Sequence, residues 1–180
     1  MTDMTPEQLE RLAILIHKNY TARQALRGLG QKIKYPTWES LPPTLKNSNF
    51  RQAATIPDKL NKIGCYLEAD DQPGQDVDSF TEEEIERLAE YEHELWVKER
   101  EESGWVLAPE KDDAKKETPF MVSYDELTDD IRELDRDTVR NIIPLVHKVG
   151  LKVFRLAPGE QVENRASVWD RDRQQRDGQV

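Results

Sequence analysis

The chain has 180 residues, 36% hydrophobic and 34% charged, and its 36 acidic against 26 basic side chains leave a formal charge of −10. That balance excludes the broad basic surface that releases counterions from nucleic acid, so no nucleic-acid partner is expected. It also fits two modest cores with a solvated remainder better than one large core.

The single cysteine, Cys65, rules out a disulfide framework within the chain and makes a reducing compartment the expectation. The opening MTDMTPEQLE carries no apolar run of signal-peptide length. No stretch approaches the roughly 20 apolar residues of a membrane span. The protein is therefore expected to be cytoplasmic, with no membrane span.

Along the chain, TPEQLERLAILIHKNY (5–20) is the first predicted element. Thr5 with Gln8 forms a capping-box pattern, and Leu9, Leu12, Ala13 and Ile16 make an apolar helical stripe. GLG at 28–30 does not continue into a dinucleotide fingerprint. The block 38–64 opens on Trp38, and Asn49 is the predicted N-cap of a second helix carrying Ala53, Ile56, Leu60 and Ile63. Pro57 predicts a kink or break, Gly64 a left-handed helix stop, and Cys65–Leu67 a brief strand. ADDQPGQDVDS (69–79) is polar and acidic and is predicted to be an exposed connection.

The same series then returns. TEEEIERLAEYEHELW (81–96) aligns without a gap to 5–20, with seven of 16 positions identical, among them His17 with His93. Thr81 with Glu84 repeats the capping box, and Ile85, Leu88, Ala89, Leu95 and Trp96 supply the stripe. After a longer loop, 124–150 aligns with 38–64. Tyr124 stands for Trp38, Asp135 is the predicted N-cap, Pro144 the predicted break and Gly150 the stop. Leu151–Leu156 is the second brief strand. The segment from 157 to 180 has almost no apolar content and is predicted to be disordered or partner-dependent. Its Val168-Trp169 pair is the one anchor in view. The predicted fold class is thus mainly α with short β-strands, in two pseudo-symmetric repeats at 5–68 and 80–156.

Residues 81–156 carry His93, Trp96, Gly104-Trp105, Pro109, Asp112-Asp113, Lys115, Pro119, the VSYDEL run with Tyr124 and Leu127, Asp135-Arg136 and Gly150. In that order and spacing they resemble the RyR domain, a repeat of ryanodine receptor calcium-release channels that also occurs in bacterial and phage proteins. Thr118 and Leu107-Ala108 depart from the family pattern, which favours His and Gly there. The first copy resembles a degenerate repeat without the GW…DD…P loop. The resemblance implies a small fold of helices and short strands, no enzymatic activity and no cofactor. It further implies a binding role, with an adenine nucleotide or NAD-derived ligand held between two copies.

Two readings of the aromatic residues stay open. Trp96 and Trp105 supply either core area or a stacking shelf for a base. Arg100, Lys115 and Lys116 either meet phosphate or sit in a solvated loop beside Asp112 and Asp113. Tyr124 shapes the floor, and His93 and Tyr20 flank it. Asp112 and Asp113 are expected to order the loop rather than do chemistry. No metal ligand set and no nucleophile–base pair is visible. The leading expectation is a non-enzymatic module that binds a nucleotide-like ligand. The rival is a protein-interaction module, or a homo-oligomer, with no small ligand.

Overall fold

A computed structural model describes residues 1–28 and 33–160 of the chain. In order the elements are α1 (Pro6–Arg27), α2 (Pro43–Ala54), α3 (Ile56–Asn61), β1 (Cys65–Ala69), α4 (Glu82–Glu102), β2 (Val106–Leu107), β3 (Glu117–Thr118), a 3-10 turn (Tyr124–Glu126), α5 (Asp129–Arg140), α6 (Ile142–His147) and β4 (Leu151–Arg155). The fold is mainly α with short β-strands. Among the described residues, no helix is long and apolar enough to cross a membrane.

Local rules explain the helix ends. Both long helices start on capping boxes: Thr5 and Gln8 exchange side-chain and backbone bonds at α1, as do Thr81 and Glu84 at α4. Each hydroxyl satisfies one of the free N–H groups of the first turn, and each N3 side chain returns to the cap. The expected caps Asn49 and Asp135 are not caps. Pro43 opens α2, where its fixed φ suits a first turn, and Thr128 precedes α5, whose first turn holds Asp129 and Asp130 against the positive helix end. Asn49 lies inside α2 and donates to the Leu45 carbonyl at 3.1 Å.

The predicted breaks are real but lie upstream of the prolines, at Thr55 and Asn141, positions that stand opposite each other when 38–64 is aligned with 124–150. A proline removes one helical N–H and its ring crowds the carbonyl four residues back, while it sits easily in a first turn. Pro57 and Pro144 therefore become early residues of new helices. The predicted apolar positions Ala53, Ile56, Leu60, Ile63, Val139, Ile142, Val146 and Val149 are all buried.

The chain forms two compact units, one of Met1–Val77 with the segment from Ile143 onward, the other of Asp78–Ile142. In the first unit, α1 packs on α2, and β1 pairs antiparallel with β4. Gly64 and Gly150 turn the chain into these strands at φ 69° and 77°, the left-handed region that favours glycine. The central pair of the ladder is Leu67 with Val153, each three residues past its glycine. The connection 69–79 is exposed from Asp70 to Gln75, but its far end runs beside β4, where Val77 N–H donates to the Val153 carbonyl at 2.7 Å. Of the predicted tail, 157–160 form a turn closed by Glu160 on the Ala157 amide, and 161–180, including Val168-Trp169, lie outside the described residues.

In the second unit, α4 packs on α5 and the 3-10 turn, with Ile85, Leu88, Ala89, Leu127 and Val139 buried between them. The third turn of the α4 stripe is taken by Glu92 and His93 rather than by Leu95, which is half-buried.

Candidate functional site

Within the second unit, His93, Trp96 and Arg100 stand at i, i+3 and i+7 on α4 and so share one face. The end of α4 adds Trp105 to them. Gly104 takes φ 81°, its N–H donates to the Glu101 carbonyl, and the Trp105 N–H reaches back to the Arg100 carbonyl at 2.9 Å. This is a Schellman stop, in which the residue after the glycine folds over the residue five places before itself. The side-chain contact that such a stop places there is here a cation on an indole. The Arg100 guanidinium carbon lies 5.0 Å from the Trp105 ring centroid and 5.2 Å from that of Trp96.

The contacts continue in the other direction. His93 stacks on Trp96 at 5.7 Å and 19°, and Tyr124 meets His93 at 6.3 Å and 53°. The Arg132 guanidinium lies 5.5 Å over the Tyr124 ring, while its N–H groups donate to the Tyr124 and Asp125 carbonyls. Arg132, Tyr124, His93, Trp96, Arg100 and Trp105 thus form one unbroken run of cation and aromatic contacts.

His93 is 4% exposed. Its Nε2 lies 2.7 Å from the Val122 carbonyl oxygen, and its Nδ1 lies 3.5 Å from Asp135 Oδ2. Burial opposes the charged ring, but the Asp135 carboxylate, the Val122 carbonyl and the nearby Glu94 outweigh it, so the pKa stands above the ordinary 6.5. Asp135, the residue expected to cap a helix, is instead the carboxylate that faces the imidazole.

Tyr124 donates its hydroxyl to Glu86 at 3.1 Å. Burial, with the Glu86 charge beside it, pushes its pKa up to about 12. Glu86 is also held by Arg136, which donates to Asp129 and Glu133 at 2.9 and 3.1 Å, and Arg140 binds Glu133 in turn. The two arginines hold the Glu133 carboxyl below the usual carboxylate range.

The loop after Trp105 is ordered by Asp112, as its sequence implied. Asp112 Oδ1 accepts the Ala114 and Lys115 amides at 3.0 and 3.2 Å, and its backbone bridges to Glu117. β2 and β3 pair in parallel beside it. Lys116, at φ 54°, donates its ammonium to the Ser103 carbonyl at 2.8 Å, next to the helix stop. Lys115 faces Asp112 at 3.5 Å and is largely exposed.

Of the expected site residues, His93, Trp96, Arg100, Trp105 and Tyr124 come together. Lys115 and Lys116 stand in the adjoining loop. Tyr20 belongs to the first unit, where it is 51% exposed. Glu86, Arg132 and Arg136 were not among the expected site residues. Arg136 appeared only within the Asp135-Arg136 pair of the family pattern, and its ion pairs join helices that no local spacing connects.

Residues 73–155 match the family model for the RyR domain. The chain carries a RyR domain. The matched stretch contains the whole contact run.

In the first unit His17 has different surroundings. His17 is 5% exposed and lies 6.4 Å from Trp38, which meets Phe50 edge-on at 5.8 Å and carries Lys46 at 5.6 Å. Among the described residues, His17 Nε2 has no hydrogen-bond partner.

Proposed function

We propose that the chain is a non-enzymatic, cytoplasmic binding module, and that its RyR domain takes a nucleotide-like ligand at the Trp105 end of the contact run. The observation that carries this reading is the clamp of Arg100 between Trp96 and Trp105. It holds Trp105 half-buried at a helix end, beside a loop that carries Lys111, Lys115 and Lys116. An indole held in this way costs little further order when a base stacks on it, and such stacking contributes about 1–3 kcal/mol per base. The gap between the two indoles is already filled by Arg100, so the base would use the remaining face of Trp105. Lys115 is the donor for phosphate, since Lys116 and Arg100 are both committed to the helix end.

In this proposal residues 5–68 are a diverged second copy. Support comes from the shared capping boxes, the shared breaks at Thr55 and Asn141, and the pairing of Leu67 with Val153. A rival reading, a protein-interaction module without a small ligand, is favoured by the exposed apolar pair Val106 and Leu107, at 54% and 57%.

Thermal unfolding with ATP, ADP, ADP-ribose, NAD and cyclic dinucleotides separates the two. A ligand at 100 times its Kd stabilises the fold by about 2.7 kcal/mol. A shift with one of them, lost in a folded Trp105→Ala variant, supports the ligand site. No shift with any favours the interaction module.

A further inference from the structure

The two contacts of His93 cannot both be satisfied by a neutral ring. A neutral imidazole has one N–H. Placed on Nε2, it serves the Val122 carbonyl and leaves the Nδ1 lone pair facing the Asp135 carboxylate. Placed on Nδ1, it serves Asp135 and leaves a lone pair 2.7 Å from a carbonyl oxygen. Only the imidazolium donates to both. The longer of the two contacts, at 3.5 Å to Asp135, is the one that gives way when the proton leaves for solvent. That contact ties α4 to α5, and the same ring is a rung of the run that ends at Trp105.

We propose that His93 is a proton-operated latch of the RyR domain: with both ring nitrogens protonated it locks α4 onto α5 and orders the Trp96–Arg100–Trp105 clamp, and loss of one proton releases both. The charged groups around the ring agree with this. Asp135 faces it from α5 and Glu94 adds negative charge from α4. The 3-10 turn presents the neutral Tyr124 ring, whose hydroxyl is held by Glu86 near Arg136 and whose face is covered by Arg132. Two cations flank His93 along the run, each one ring away: Arg100 beyond the Trp96 indole and Arg132 beyond the Tyr124 ring. Among the described residues His17 Nε2 has no hydrogen-bond partner, so His17 does not bridge two acceptors in this way. The latch does not depend on the nature of the ligand.

Tryptophan emission reads it directly, because an imidazolium stacked on an indole quenches it and a neutral imidazole does so far less. In the full chain between pH 5 and 9, emission should rise several-fold less in Trp96→Phe than in the parent. The midpoint should stand above 6.5, His93→Gln should abolish the step, and Asp135→Asn should lower the midpoint. His17→Gln should leave it in place. Hydrogen exchange, corrected for its intrinsic pH dependence, should show the Trp105 amide opening several-fold faster above the midpoint. A step that survives His93→Gln, a midpoint unmoved by Asp135→Asn, or a Trp105 amide indifferent to the transition would each overturn the latch.

Discussion

At His93 the sign of the pH dependence follows from its partners. Its pKa in the fold is raised, so the stabilisation is fully present below 6.5 and is lost as pH rises through the folded value. Chemical denaturation from pH 6 to 9 should show that loss in the parent and a flatter profile in His93→Gln. Tyr124 acts higher. Its pKa is also raised, from 10.0 to about 12, so its contribution holds below 10.0 and disappears as pH climbs from there to about 12. Tyr124→Phe, which keeps the ring against His93, should lose that alkaline step while keeping the one near neutrality. Gly104 answers to backbone geometry instead. At φ 81° an L side chain is strained by about 1–2 kcal/mol, although open space surrounds the position. Gly104→Ala should therefore lower stability by that amount, and the Trp105 amide should lose protection first.

The helix pair α4–α5 is held by burial along its seam and by Arg136 across it. Arg136 joins Glu86 on α4 to Asp129 and Glu133 on α5. These carboxylates are exposed while the Arg136 side chain is largely covered, and exposed pairs contribute little singly, so a network of this kind is worth about 1–2 kcal/mol in all. Arg136→Met should cost that much in urea unfolding at low salt, and the difference from the parent should shrink in high salt. Much of this element level was legible beforehand. Capping boxes, apolar stripes and glycine stops are local, and the helices, their breaks and both terminal strands followed from them. The caps of α2 and α5 did not. Asn49 and Asp135 look like caps because short polar side chains favour that place, yet Pro43 and the Thr128-Asp129-Asp130 run make better first turns upstream. Once α5 starts early, Asp135 is carried to the seam, which is why its contact with His93 was invisible to spacing alone.

For the molecule as a whole, non-local pairing was the part hidden from the sequence. The strands after Gly64 and Gly150 were expected one by one, but nothing in either run says that Leu67 lies opposite Val153. The match to the RyR domain ends at residue 155, while its last segment, from Ile143, belongs to the compact unit formed with residues 1–77. His93, Trp96 and Trp105 were legible because helical spacing and a glycine stop bring them together, while Tyr124 joins them from the 3-10 turn. The ion pairs around them were not, since their carboxylates are drawn from a chain with 36 of them and no pattern marks which ones meet.

The central claim is that Trp105 is a prepared stacking surface for a nucleotide-like ligand. Nitrogen-15 NMR of the four indole N–H groups during titration with ATP, and separately with inorganic triphosphate, tests it most directly. The account predicts a saturable shift of the Trp105 indole with ATP, a smaller one at Trp96, none at Trp38, and little at either site with triphosphate alone. Indoles that stay unmoved by ATP and by every other nucleotide in the panel would contradict it.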